Sequence, residues 1–204
     1  MIPISLKPEP PNFDAIVRKP GLAFLKNHPQ PNNRQFSKKN YWRNISSELH
    51  NAYQRVCAYT CSFIADGGTV DHFLPKTTNP ELAYEWSNYR LSSPRANNYK
   101  ANEINLIDPI NMDLGLFTID FPSCLIKVND NFSTEVKEKA KNTISVLRLN
   151  DDDHFVQTRC NIMLEYANNE VTLDFLRRRY PFLASEIIRQ GIQDKVGEIF
   201  KSIT

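Results

Sequence analysis

Three polar clusters in the middle of the chain contain the residue types needed to hydrolyse a phosphodiester. They are Asp71-His72 within residues 69–76, Asn88 within residues 86–91, and Asn97 with Lys100 after Pro94. Such a reaction needs a divalent cation to stabilise the phosphate charge and the departing oxygen. Mg²⁺ favours a carboxylate and an amide carbonyl as ligands and retains several waters. A base must also take a proton from the attacking water, and a histidine held in one tautomer by a neighbour suits that task. Asp71, Asn97, His72 and Asn88 are the residue types for these roles.

An isolated Asp-His pair reads better as a core histidine beside a satisfied carboxylate, so the weight rests on the register of all three clusters. Neighbours on a strand point to opposite faces. Asp71 and His72 can therefore share one site only where the chain bends, or where metal and base approach from different sides. Pro75 favours an early departure from strand pairing. Lys76 reads equally well as a solvated strand end and as a phosphate contact.

Asp-His-x-x-Pro-Lys, then Tyr-x-Trp-x-Asn-x-x-Leu, then Asn-x-x-Lys resembles the HNH nuclease superfamily over about residues 57–105. In that family a two-stranded hairpin and a helix clasp one metal ion. The spacing from Asn88 through Asn97 to Lys100 is similar to that in the HNH domain of RNA-guided CRISPR nucleases. The resemblance implies that Asp71 and Asn97 are metal ligands, His72 the general base and Asn88 the residue that orients it. Lys100 matches a lysine near the phosphate. Asn97 stands where the classical final histidine would be, so the implied site is all-oxygen and favours Mg²⁺ or Mn²⁺. Many relatives hold a structural zinc on two Cys-x-x-Cys pairs. Here Cys57-x3-Cys61 has no second close pair, and the reading is against zinc.

The whole chain also resembles stand-alone bacterial HNH proteins, several encoded beside ATPases in anti-phage systems such as Septu and Zorya. What this implies is a metal-dependent endonuclease that nicks DNA as a defence effector, with a possible ATPase or other defence partner. One metal and one base cut one strand per event. Two rivals remain: an RNA-cleaving HNH nuclease, and a non-catalytic nucleic-acid-binding or docking protein with a vestigial site. The first differs only in the target, because recognition of the 2′-hydroxyl depends on groove shape.

The elements around these clusters give an α+β expectation: a central ββα-metal HNH module (57–105) enclosed by an N-terminal region of extended chain and helices (1–56) and a C-terminal region (106–204) of a strand pair and helices. Residues 1–12 are proline-rich and extended, and a short helix over 13–18 stops at Pro20-Gly21. Residues 26–40 read as a surface loop with a basic tip. Periodicity predicts a helix over 44–55, and composition predicts a strand over 57–64. Extended segments at 69–76 and 86–91 follow, then a helix from Pro94 to about Glu103, capped by Ser92 or Ser93. Strands at 116–121 and 124–128 precede helices at 133–148, 151–168, 171–178 and 181–200.

Other features read more plainly. Trp86, Tyr84, Tyr59 and Phe63 are core packing, and His28, His50 and His154 are surface residues. Asp151 to Asp153 form an acidic helix start. Arg177 to Arg179 are a solvated face.

The formal net charge of +2 permits a local nucleic-acid patch without the basic excess of a coating protein. No stretch reaches the apolar length of a membrane span, and the first eight residues lack the apolar core of a signal peptide. Four dispersed cysteines do not make a disulfide scaffold. Together these favour a cytoplasmic protein with reduced thiols.

Overall fold

The computed structural model describes residues 1–201 and shows an α+β protein of short helices and two small antiparallel ribbons. The chain divides into two compact units. One comprises Ser5–Cys57 and Ile64–Ile104. The other comprises Met1–Ile4, Ala58–Phe63 and the chain from Asn105 onward.

The first unit contains all the candidate site residues. After an extended start, a wide π-helical turn (Asp14–Arg18) runs directly into α1 (Lys19–Asn27). Pro20-Gly21 therefore does not stop the helix as expected. Proline cannot donate to the carbonyl four residues back. Asn44 Nδ2 donates to that carbonyl, on Ile16, at 3.4 Å. Residues 33–38 also depart from the expected loop and form α2 (Asn33–Lys38). A reciprocal capping box starts it: Asn32 accepts from the Gln35 amide, and Gln35 accepts from the Asn32 amide. A 3₁₀ turn (Tyr41–Ile45) leads into α3 (Ser46–Ala52), so the expected helix over 44–55 is shorter.

The expected strand over 57–64 is absent. Cys57, Ala58, Tyr59 and Cys61 are all buried, so burial does not alternate as a half-exposed strand requires. Left-handed backbone at Cys61 breaks the extension further. The ribbon is instead made by β1 (Thr69–His72) and β2 (Tyr89–Ser92), antiparallel, with Asp71 opposite Arg90 and His72 opposite Tyr89. The intervening loop carries 3₁₀ turns at Pro80–Leu82 and Trp86–Asn88. Helix α4 (Pro94–Lys100) follows at once, with Pro94 in its first turn and Ser93 Oγ accepting from the Ala96 amide, as the sequence predicts. Both α3 and α4 pack on β1. Beneath them lies an aromatic core of Phe13, Phe24, Phe36, Trp42, Tyr84, Trp86 and Tyr89.

The second unit pairs β3 (Phe117–Asp120) with β4 (Leu125–Val128) and adds α5 (Thr134–Val146), α6 (Asp153–Ala167), α7 (Leu173–Arg179), α8 (Pro181–Gln190) and α9 (Val196–Lys201). The single helix expected over 181–200 is broken at Gly191, whose left-handed φ of 64° caps α8. Asp152 caps α6 by accepting from the Phe155 amide, which accounts for the acidic run 151–153 without a metal. Arg179 is not simply solvated, because its guanidinium lies 3.5 Å from the Phe63 ring centroid.

Among the described residues, no helix is long and apolar enough to cross a membrane.

Candidate active site

β1 ends at His72. The last backbone bond of the ribbon runs from the Phe73 amide to the Asn88 carbonyl at 2.9 Å. Beyond it the chain enters the loop 73–88, and Asn88 clamps that loop. Its Oδ1 accepts from the Leu74 amide at 2.8 Å. Its Nδ2 donates to the carbonyls of Leu74 at 2.9 Å and Leu82 at 3.2 Å. The side chain is buried and bonds to loop backbone, not to the imidazole.

His72 is held from three sides. Its Nε2 lies 2.8 Å from the Ala83 carbonyl, the residue after the Leu82 that Asn88 grips. A carbonyl only accepts, so Nε2 carries the proton and Nδ1 is left as the basic nitrogen. The Trp42 ring stands edge-on at 4.7 Å between centroids, and the Tyr89 ring at 5.1 Å. Tyr89 Oη donates to the same Ala83 carbonyl at 2.9 Å. Burial, with Lys76 next in weight and Lys100 a smaller contributor, lowers the His72 pKa to about 3, so the ring is neutral. A phosphate anion near Lys76 would offset that cation and raise the basicity of the imidazole.

Asp71 is 3% exposed, and its Oδ1 lies 3.3 Å from Lys100 Nζ. Lys100 also donates to the His72 carbonyl at 2.9 Å. It has no exposed side-chain surface. Lys100, expected near the phosphate, is buried in this structure: the lysine pairs with a buried carboxylate and ties α4 to the end of β1. Lys100 follows Asn97 by three residues on α4, and that spacing does not report how deeply a strand covers a helix.

Asp71, His72, Asn97 and Lys76 line one cavity of about 490 Å³. Asn88 and Lys100 lie behind its wall. Asn97 Nδ2 donates to Thr69 Oγ1 at 3.1 Å, which leaves its carbonyl oxygen as the acceptor. Lys76 is half-buried, with Nζ 5.6 Å from the Trp42 ring centroid. Burial lowers its pKa, and Asp71 partly restores it. Asp71 and His72 are neighbours in sequence and both line this cavity, as do Thr69 and Val70 earlier in the strand.

The donor chemistry fits a hard divalent cation. Asp71 and Asn97 offer a carboxylate and an amide oxygen on one cavity, and Mg²⁺ commonly takes only one or two protein ligands and completes its shell with water. Among the described residues, no three His, Cys, Asp or Glu side chains gather as a metal-holding group. No disulfide joins the cysteines among the described residues.

A 91-residue stretch of the chain is 38% identical to the Septu protein PtuB of Bacillus thuringiensis. The match covers 44% of this chain and 34% of that protein, so the chain spans about a third of the relative's length. No family model matches.

Sequence reasoning missed four residues that contribute to the site. Trp42 and Arg43 line the cavity from the 3₁₀ turn before α3, far from the motif. Thr69 holds the Asn97 amide. The Ala83 carbonyl fixes the histidine. A backbone acceptor leaves no mark in residue type, and the Trp-Arg pair carries no spacing signal.

Proposed function

We propose that this chain is a metal-dependent HNH-type endonuclease that nicks DNA. The observation that carries the reading is one cavity lined by Asp71, Asn97 and His72, with the histidine Nε2 engaged by the Ala83 carbonyl so that Nδ1 is the basic nitrogen. His72 Nδ1 takes the proton from an attacking water. Asp71 and Asn97 would hold a divalent ion, Mg²⁺ or Mn²⁺, which would stabilise charge on the phosphoryl group and the leaving oxygen. Asn88 is a positioning residue: it closes the loop whose Ala83 carbonyl holds the imidazole. Lys76 is the cation placed to meet a phosphate oxygen.

The likeness to a Septu protein supports a place in anti-phage defence, where a partner such as an ATPase would control the nuclease.

The test is supercoiled plasmid with Mg²⁺. The wild-type protein is expected to give open circles, and chelation to abolish them. His72→Ala is expected to lower the rate by about 10²–10⁴-fold. Equal nicking by both proteins would sink the assignment.

A further inference from the structure

The cavity holds two cations against a single acid. Arg43 and Lys76 line it, and Asp71 is the sole carboxylate among its described lining residues. Such a surplus favours an anionic ligand.

The two cations differ in what already engages them. Lys76 lies over the Trp42 ring, its pKa lowered by burial. Arg43 is exposed, and among the described residues no ion pair or hydrogen bond engages its guanidinium. Its backbone is nonetheless fixed. The Arg43 amide donates to the Asn40 carbonyl at 2.9 Å, and the Arg43 carbonyl accepts from the Ser46 amide. Its neighbour Trp42 is buried edge-on against His72. The arginine is therefore held one residue from the ring that packs on the candidate base, with its head group uncommitted. Ser46, three residues on, lines the same cavity.

We propose that Arg43 binds a second phosphate of the substrate strand, next to the phosphate at Asp71 and His72. The guanidinium fork matches phosphate oxygens, and a rigid turn sets its register. The ligand class is then a polynucleotide backbone and not a lone phosphate. This rests on the nuclease reading of the same cavity.

Binding without cleavage separates the two claims. The His72→Ala protein with Mg²⁺ is titrated into fluorescein-labelled duplex DNA and, separately, single-stranded RNA, across a range of KCl concentrations. Adding Arg43→Ala is expected to weaken binding about tenfold and to make the salt dependence shallower by about one unit of log–log slope. Arg43→Lys is expected to recover part of the affinity. Arg34→Ala, an exposed arginine outside the cavity lining, is expected to match its parent. The loss on whichever of the two ligands binds more tightly supports the proposal. Unchanged affinity and slope for Arg43→Ala overturn it, as does a parent that binds neither strand. If His72→Ala nicks plasmid as fast as wild type while the Arg43 loss is seen, the nuclease reading falls and the phosphate site stands.

Discussion

Lys100 sets the charge balance of the site. Its ammonium is sealed from solvent beside the Asp71 carboxylate, and it also donates to backbone at His72. Removing one member of a buried pair leaves the other charge uncompensated, which costs more than the pair itself contributes. Lys100→Met is therefore expected to destabilise the protein by about 3–5 kcal/mol in urea titration. The double variant Lys100→Met, Asp71→Asn is expected to recover a large part of that loss, because it removes both charges. A double variant no more stable than the single would show that the carboxylate is not what the lysine serves. The sequence supplied the types and order of Asp71, His72, Asn97 and Lys100. It did not supply the division between cavity wall and interior, because that depends on how β1 lies across α4.

At the scale of elements, the clearest departure is α1. Pro20-Gly21 reads as a break, yet the helix passes through both residues. Asn44 satisfies the carbonyl that the proline leaves open. The glycine permits something different: a methyl placed at Gly21 would lie against Tyr84 Cγ, in clash with the ring. Tyr84 is fully buried and donates through Oη to the Lys39 carbonyl at 2.8 Å. It also packs at 5.8 Å from Trp42, the ring that borders His72. Gly21→Ala is expected to cost about 1–3 kcal/mol of stability through overpacking. A thermal midpoint unchanged from wild type would mean that Tyr84 can move aside. The helix over 94–100 was legible because its cap and first-turn proline are local signals. Residues 57–64 have strand composition without a strand because their β-branched and aromatic residues answer to burial, not to pairing.

At the scale of the molecule, the chain crosses between its two units after Ile4, Cys57, Phe63 and Ile104. Residues 58–63 lie between two segments of the site unit yet belong to the other unit. There the Phe63 amide donates to the Arg179 carbonyl at 2.8 Å, and the Arg179 guanidinium covers the Phe63 ring. The Ile4 amide likewise donates to the Pro109 carbonyl at 2.9 Å. A fragment ending at residue 104 keeps every candidate site residue but loses these partners. It is expected to expose Tyr59 and Cys61, bind a hydrophobic dye and unfold less cooperatively than the full chain. A sharp, dye-free transition in that fragment would show that the strip 58–63 needs no partner. No composition shift marks this interleaving, since adjacency in sequence says nothing about which core a six-residue strip joins.

The Ala83 carbonyl gathers the His72 ring and the Tyr89 hydroxyl on a single oxygen. Because that oxygen is backbone, no side-chain replacement deletes it. A saturation scan at position 83 would report only how much volume the pocket around a fully buried alanine tolerates. The tautomer of the histidine would be invisible to genetics at the residue that sets it. Reaching it takes chemistry on the main chain, through an ester or thioamide linkage introduced by semisynthesis that weakens the acceptor while leaving all twenty side-chain identities untouched.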